Sequence, residues 1–349
     1  MENVSDEKDY KLGRLITLSK RFPKVPDSSD YPKLSQVVSS LWVHADRLSG
    51  LCAVPSYFVE LALVTQNFAC QSALTASSGR TVLPEKLTQK ETSVARREFL
   101  KILNEFPRKD PRNLTATERR ISKDWSHRML TGLVAKMDAG TASGFESLLS
   151  SIIVNAWTTF ESFSTDLWVE ALNSNPKLAM YASLTNLPAD NKGEEMSIEN
   201  DAGKSVSIKQ IDAYGYDLRG RMGLVLKASN KFNFNRLYGI EAAYHAAFGK
   251  KAKAVFDKPK YRRMTVLEGM RNVLVHSGGK IDLGWERRVK KDPAAFGKLG
   301  SIPRGHPLPI DGATINEFVR LCISICRDLL NLVNDTQNGK NAGDEIGNP

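Results

Sequence analysis

The sequence predicts an all-α fold: an antiparallel helical bundle over residues 139–335, preceded by a mainly helical region at 1–138. Three observations point there. From GFESLLSSIIVNAWTTFESFSTDLWVEALN, apolar residues recur at Phe145, Leu149, Ile152, Trp157, Phe160, Phe163, Leu167 and Ala171, a three-to-four spacing that marks one long amphipathic helix. A second long stripe (Ile315, Phe318, Cys322, Ile325, Leu329, Leu332) runs through TINEFVRLCISICRDLLNLVND. Helix stop signals punctuate the pattern at Asn173-Ser174-Asn175-Pro176 and Gly278-Gly279.

Taken in order, KLSQVVSSLWVHADRL, SYFVELALVTQNFA and SVARREFLKILNEF each carry helical periodicity, and FPRKDPRNLTATERR is a polar, basic connector. The small residues of DAGTASG place a boundary near residue 138. After the long helix, residues 186–207 are acidic and turn-rich and read as a loop insertion. RMGLVLKASNKFNF and LYGIEAAYHAAFG are two shorter helices, followed by a basic, Pro-containing connector and then by the helix TVLEGMRNVLVHSGG. Residues 284–310, rich in Gly, Pro and Lys, read as a loop. In the closing helix Thr314 and Glu317 form a candidate capping box. The tail 336–349 reads as disordered. There is no internal repeat and no phosphate-binding loop.

Composition bounds the function. Hydrophobic residues make up 41% and charged residues 25%, values of a soluble globular chain. No apolar run is long enough for a membrane span. The polar, acidic start MENVSDEKDYKLG does not read as a secretory signal, so the expected address is cytoplasmic. Cys52 and Cys70 lie far from Cys322 and Cys326, which suggests no disulfide framework. Cys322 and Cys326 lack a third ligand at zinc spacing and read as packing residues, so neither a metal nor a cofactor is expected.

Charge is concentrated. Between Gly249 and Arg304 there are 15 Lys and Arg against 5 Asp and Glu, which is the whole formal excess of +10. A local positive field attracts polyanions, RNA and DNA foremost. The candidate nucleic-acid contacts are Lys260, Arg262, Arg263, Lys280, Arg287 and Arg288.

The same segment holds RNVLVH. At about 100° per residue, Val266, Leu267, Met270, Val273 and Leu274 form a core stripe, and Glu268, Arg271, Asn272, Val275 and His276 fall on the other side. An apolar Val275 amid polar neighbours suggests that a second copy of this helix covers it. A histidine trades protons near neutral pH, and an arginine fork holds a phosphate and its transition-state charge. Asn272, four residues before His276, is placed to orient it. With the RNA 2′-hydroxyl as nucleophile, such a pair cleaves a phosphodiester without a metal.

RNVLVH resembles the R-N-x-x-x-H motif of the HEPN superfamily (higher eukaryotes and prokaryotes nucleotide-binding domain). AWTTFESFSTDLW is similar to its first helix, KASNKFNF and AYHAAFG to the segments between, and RRMTVLEGMRNVLVHSGGKID to the motif helix and its exit. The resemblance spans residues 143–335. It implies a HEPN-like bundle that dimerises through the Arg271–His276 face, and a metal-independent endoribonuclease leaving a 2′,3′-cyclic phosphate. It further implies a toxin or antiviral, abortive-infection role, with an antitoxin or regulator as a further partner. Arg271 would bind the scissile phosphate, His276 act as general acid/base and Asn272 orient either one. Glu161, on the first long helix beside Trp157 and Trp168, is the candidate for the family's additional polar residue; its other reading is a rim carboxylate. Some family toxins carry a modified tyrosine two residues after the histidine; here that place is Gly278, which argues against such control. The alternative function is a non-catalytic RNA-binding or scaffold protein of the same fold.

Overall fold

The computed structural model describes residues 26–54, 88–105, 139–184, 220–229 and 231–339, with isolated positions between 211 and 218. The helical candidate at 56–69, the connector near 106–120, Cys70, the insertion at 186–207 and the tail beyond 339 lie outside them. The described part is all-α. Its one β-type contact is an isolated bridge between Lys280 and Pro307.

Two compact units emerge. One contains the described residues among 50–54, 88–105, 139–147 and 311–313. Its complete helix is Gln89–Glu105, where Thr88 and Glu91 close a reciprocal cap: Thr88 N–H and Oγ1–H donate to Glu91 Oε2, and Glu91 N–H donates back to Thr88 Oγ1.

The other unit holds the described residues of 26–49, 148–310 and 314–339. This unit thus joins residues 26–49 to the chain from 148 onward. Leu34, at the end of the 3-10 turn Pro32–Leu34, and Val38, Leu41, Ala45 and Leu48, along a helix running over 35–54, are buried, and Tyr31 Oη–H donates to Asn331 Oδ1 at 2.9 Å. These contacts draw the segment to the C-terminal bundle.

In chain order we label the helices α1 (35–54), α2 (Gln89–Glu105), α3 (Ala139–Ser174), α4 (Pro176–Leu184), α5 (Met222–Ala228), α6 (Leu237–Phe248), α7 (Lys250–Phe256), α8 (Pro259–Arg262), α9 (Met264–His276), α10 (Leu283–Lys291), α11 (Pro293–Phe296) and α12 (Gly312–Gln337). From Leu149 to Leu172, α3 is buried on nearly every side, Trp157, Phe160, Leu167 and Trp168 completely. Such a helix is the axis of a core rather than a surface element. Trp168 Nε1–H donates to the Ala243 carbonyl and Tyr244 Oη–H to the Ser164 carbonyl, both at 2.9 Å, which ties α3 to α6 at two points. The expected stripe of α12 is buried from Ile315 to Leu332, with Cys322 and Cys326 inside the core and the Cys322 thiol donating to the Ala156 carbonyl.

α5 approaches α3 so closely that a Cβ on Gly223 would lie 2.2 Å from the Val169 carbonyl oxygen. Backbone cannot step aside, so Gly223→Ala is expected to cost about 1–3 kcal/mol of stability. A urea midpoint equal to wild type contradicts that close approach.

Several local expectations change. The stop at Asn175 is only a break, because Pro176 starts α4 at its first position and the Asn175 side chain accepts the Lys177 N–H. The basic connector after α6 is itself helical, as α7 and α8. The loop expected at 284–310 contains α10, α11 and a 3-10 turn, Gly297–Ser301. Asp282 and Asp292 cap α10 and α11, accepting from Trp285 N–H and Ala295 N–H, and Trp285 packs edge-on against Phe296 at 4.9 Å. Composition hid two short capped helices. Nor does Thr314 start the closing helix: α12 begins at Gly312, and Glu317 accepts from Arg263 instead.

Candidate active site

α9 enters the core at its N-terminal half and emerges over its last turns. Met264, Val266, Leu267, Gly269, Met270 and Val273 are buried, Arg271, Asn272 and Leu274 half-buried, and Val275 and His276 exposed. Glu268, assigned by helical phase to the outer face, is buried instead. Its Oε1 accepts the Leu237 N–H at 3.3 Å, and Arg288 Nε stands 3.9 Å from its Oε2. A helical wheel assumes one depth along the helix, and α9 is tilted through two. Leu274, placed in the core stripe, is only half-buried for the same reason.

The emerging end gathers the motif. Arg271 Nη1 donates to Asn272 Oδ1 at 2.9 Å and lies 3.2 Å from His276 Nε2. Guanidinium nitrogens only donate, so in a hydrogen bond between the two Nε2 is the acceptor. One nitrogen of Arg271 serves both neighbours, which leaves the rest of the fork for an anion. Because Arg271 and His276 already converge on one point, an anionic oxygen placed there is within reach of both.

Glu161, on α3, lies within electrostatic reach of Arg271. Trp157 Nε1–H donates to Glu161 Oε2 at 2.9 Å. Half-burial raises the Glu161 carboxyl above its ordinary value, while the Trp157 bond and the Arg271 charge pull it back. Arg271 thus has Asn272 and His276 beside it on α9 and feels the partly desolvated Glu161 carboxyl from α3.

The six basic candidates separate into two groups. Lys260 pairs with Asp328 at 2.7 Å, Arg262 with Asp292 at 3.0 Å and Arg263 with Glu317 at 2.6 Å, while Arg288 faces Glu268. Arg263 also donates to the Ala295 carbonyl. These four are held inside the fold's own charge network. Lys280 and Arg287 are exposed, with no ion pair among the described residues.

Two residues that the sequence reading passed over hold the exit of α9. Ser277 Oγ–H donates to Asp282 Oδ2 at 2.5 Å, and Asp282 Oδ1 accepts the Trp285 N–H at 2.8 Å. An Asp followed three residues later by a tryptophan of an amphipathic run was the available signal. Burial alone would raise the Asp282 carboxyl, but the Ser277 hydroxyl, the Trp285 N–H and Arg288 together hold it below its ordinary value. Its contribution is therefore present above about pH 4 and disappears as pH falls through the depressed value. Asp282→Ala is expected to cost about 0.5–2 kcal/mol at neutral pH. Thermal melts of the two proteins should converge in acid; a constant gap across pH contradicts the assignment.

The buried thiols are poor candidates. Desolvation pushes Cys52 up to about 12 and Cys326 well above its ordinary value. Among the described residues no three His, Cys, Asp or Glu side chains cluster as metal ligands do, and no helix is long and apolar enough to cross a membrane. No protein-family model, curated protein or solved structure matches the chain.

Proposed function

We propose that the chain is a metal-independent endoribonuclease of the HEPN kind, acting on single-stranded RNA. The observation that carries this reading is the convergence of Arg271 Nη1 and His276 Nε2, 3.2 Å apart at the exposed end of a buried helix. An unprotonated Nε2 is the form a general base needs. It takes the proton of the 2′-hydroxyl, whose oxygen attacks the adjacent phosphorus. Arg271 holds the non-bridging oxygens as their charge grows. The 5′-oxygen leaves with a proton from an acid, and the products are a 2′,3′-cyclic phosphate and a 5′-hydroxyl. Asn272 and Glu161 position Arg271.

A second copy supplies the acid in this scheme. Val275 is 48% exposed on the same turn as Arg271 and His276, a large apolar side chain in a polar setting. Two such faces meeting across a two-fold axis bury it and bring two histidines to one cleft. The toxin or antiviral role and an antitoxin partner rest on the motif's resemblance alone, and cytoplasmic action on the polar, acidic start of the sequence. Purified protein incubated with single-stranded RNA in EDTA tests the activity, with Arg271→Ala as the comparison. Equal cutting by both proteins removes the proposal.

A further inference from the structure

The basic excess of residues 249–304 is partly spent inside the protein. Lys258 and Lys260 share Asp328, Arg262 takes Asp292, Arg263 takes Glu317, and Arg288 faces Glu268. Still exposed, with no ion pair among the described residues, are Lys250, Lys253 and Lys298, and a cluster on and around α10: Arg287, Lys290 and Lys291, with Lys280 and Arg304 beside it.

Helical phase gathers the three on α10. Counted from Trp285, which is buried, Arg287, Lys290 and Lys291 lie at about 200°, 140° and 240°, so they share the face directly opposite. Leu283 is the exposed apolar residue on that face, and it carries no aromatic ring.

α10 is also fixed against the motif helix. The Ser277–Asp282 bond ties its start to the residue after His276. Further along, Trp285 covers Gly269, where an added Cβ would come within 3.3 Å of the indole. His276 follows Gly269 by seven residues, which puts it on the same stripe of α9, about 10 Å along the axis. α10 therefore runs beside the stripe that ends in His276. The segment 305–308 is bonded to the exit of α9 through Gly305 N–H to Ile281 O, Ile281 N–H to His306 O and Leu308 N–H to Gly279 O, which sets Arg304 and Lys280 at the His276 end.

We propose that the outer face of α10, with Lys280 and Arg304, binds the phosphate backbone of a single-stranded nucleic acid and leads it to His276. The inference rests on the endoribonuclease reading for its biological substrate, but the binding site stands by itself. Spaced cations without an exposed ring contact phosphates rather than stack on bases, so binding is tolerant of sequence.

The test uses the full chain and a single-stranded 2′-deoxyoligonucleotide, which lacks the 2′-hydroxyl and cannot be cut by this route. Affinity is measured across salt concentration. Each phosphate contact on a single strand contributes about 0.7 to the slope of log K against log salt. Replacing Arg287, Lys290 and Lys291 together by glutamine is expected to reduce the slope by about 2, and Arg287→Lys with Lys290→Arg and Lys291→Arg to restore it. The charge-matched control Lys177→Gln, Lys227→Gln and Lys253→Gln, at exposed sites elsewhere, is expected to leave it unchanged. An unchanged slope in the α10 variant, an equal loss in the control, or tight binding of anionic vesicles with none of the oligonucleotide overturns the proposal. Failure of the wild type to cut RNA sinks the nuclease reading and leaves this slope measurement intact.

Discussion

His276→Ala is expected to lower cleavage of single-stranded RNA by about 10²–10⁴-fold, the range that general acid–base catalysis contributes. Arg271→Ala is expected to lower it by about 10²–10³-fold, the usual cost of one preorganised group that stabilises developing charge. The two act as one unit, so the double variant is expected to fall little below the worse single one. Arg271→Lys keeps a charge but loses the planar fork, and should recover only part of the rate. Removing Arg271 also takes away the cation that pulls the Glu161 carboxyl down, so this group moves further above its ordinary value. None of this requires unfolding. His276 is exposed, and its replacement is expected to leave stability within about 0.5 kcal/mol. Full activity in a well-folded His276→Ala protein would return the motif to a surface coincidence, with RNA binding as the surviving role.

Trp168→Ala is the largest expected stability effect. Trp168 is fully buried, packs against Phe232 and Phe234 at 5.6 and 5.3 Å, and donates its indole N–H to the Ala243 carbonyl. Truncation removes the packing and the indole's hydrogen bond, at about 3–5 kcal/mol. Trp168→Phe keeps most of the volume and loses the bond, and should cost distinctly less. Urea unfolding of the three proteins orders them. A Trp168→Ala midpoint close to wild type would show that α3 is not the axis of the bundle.

Sequence period made α3, α9 and α12 readable because each keeps one apolar stripe for several turns. It misread α10 and α11, whose nine and four residues are too short for period to register and which are set by the caps Asp282 and Asp292. It put Glu268 on the outside because phase along one helix carries no knowledge of what α6 and α10 lay over it. The basic candidates failed in a related way. Whether Lys260 or Arg263 is free depends on Asp328 and Glu317, more than 50 positions away and invisible to spacing. By contrast Arg271, Asn272 and His276 were readable together, since they share the end of one helix and a long arginine side chain spans the five positions to His276. Glu161 beside Arg271 needed the fold, and the rim carboxylate and site carboxylate readings differ only in what α3 packs against.

Arg271 and His276 are proposed to cut RNA with the substrate's own 2′-hydroxyl. The most direct measurement is the chemistry of the new ends, read by mass spectrometry after incubation of the full chain with RNA in EDTA. The account predicts 2′,3′-cyclic phosphate and 5′-hydroxyl ends with wild type and none with His276→Ala. Ends carrying 3′-hydroxyl and 5′-phosphate, or cyclic phosphate formed equally by both proteins, would contradict it.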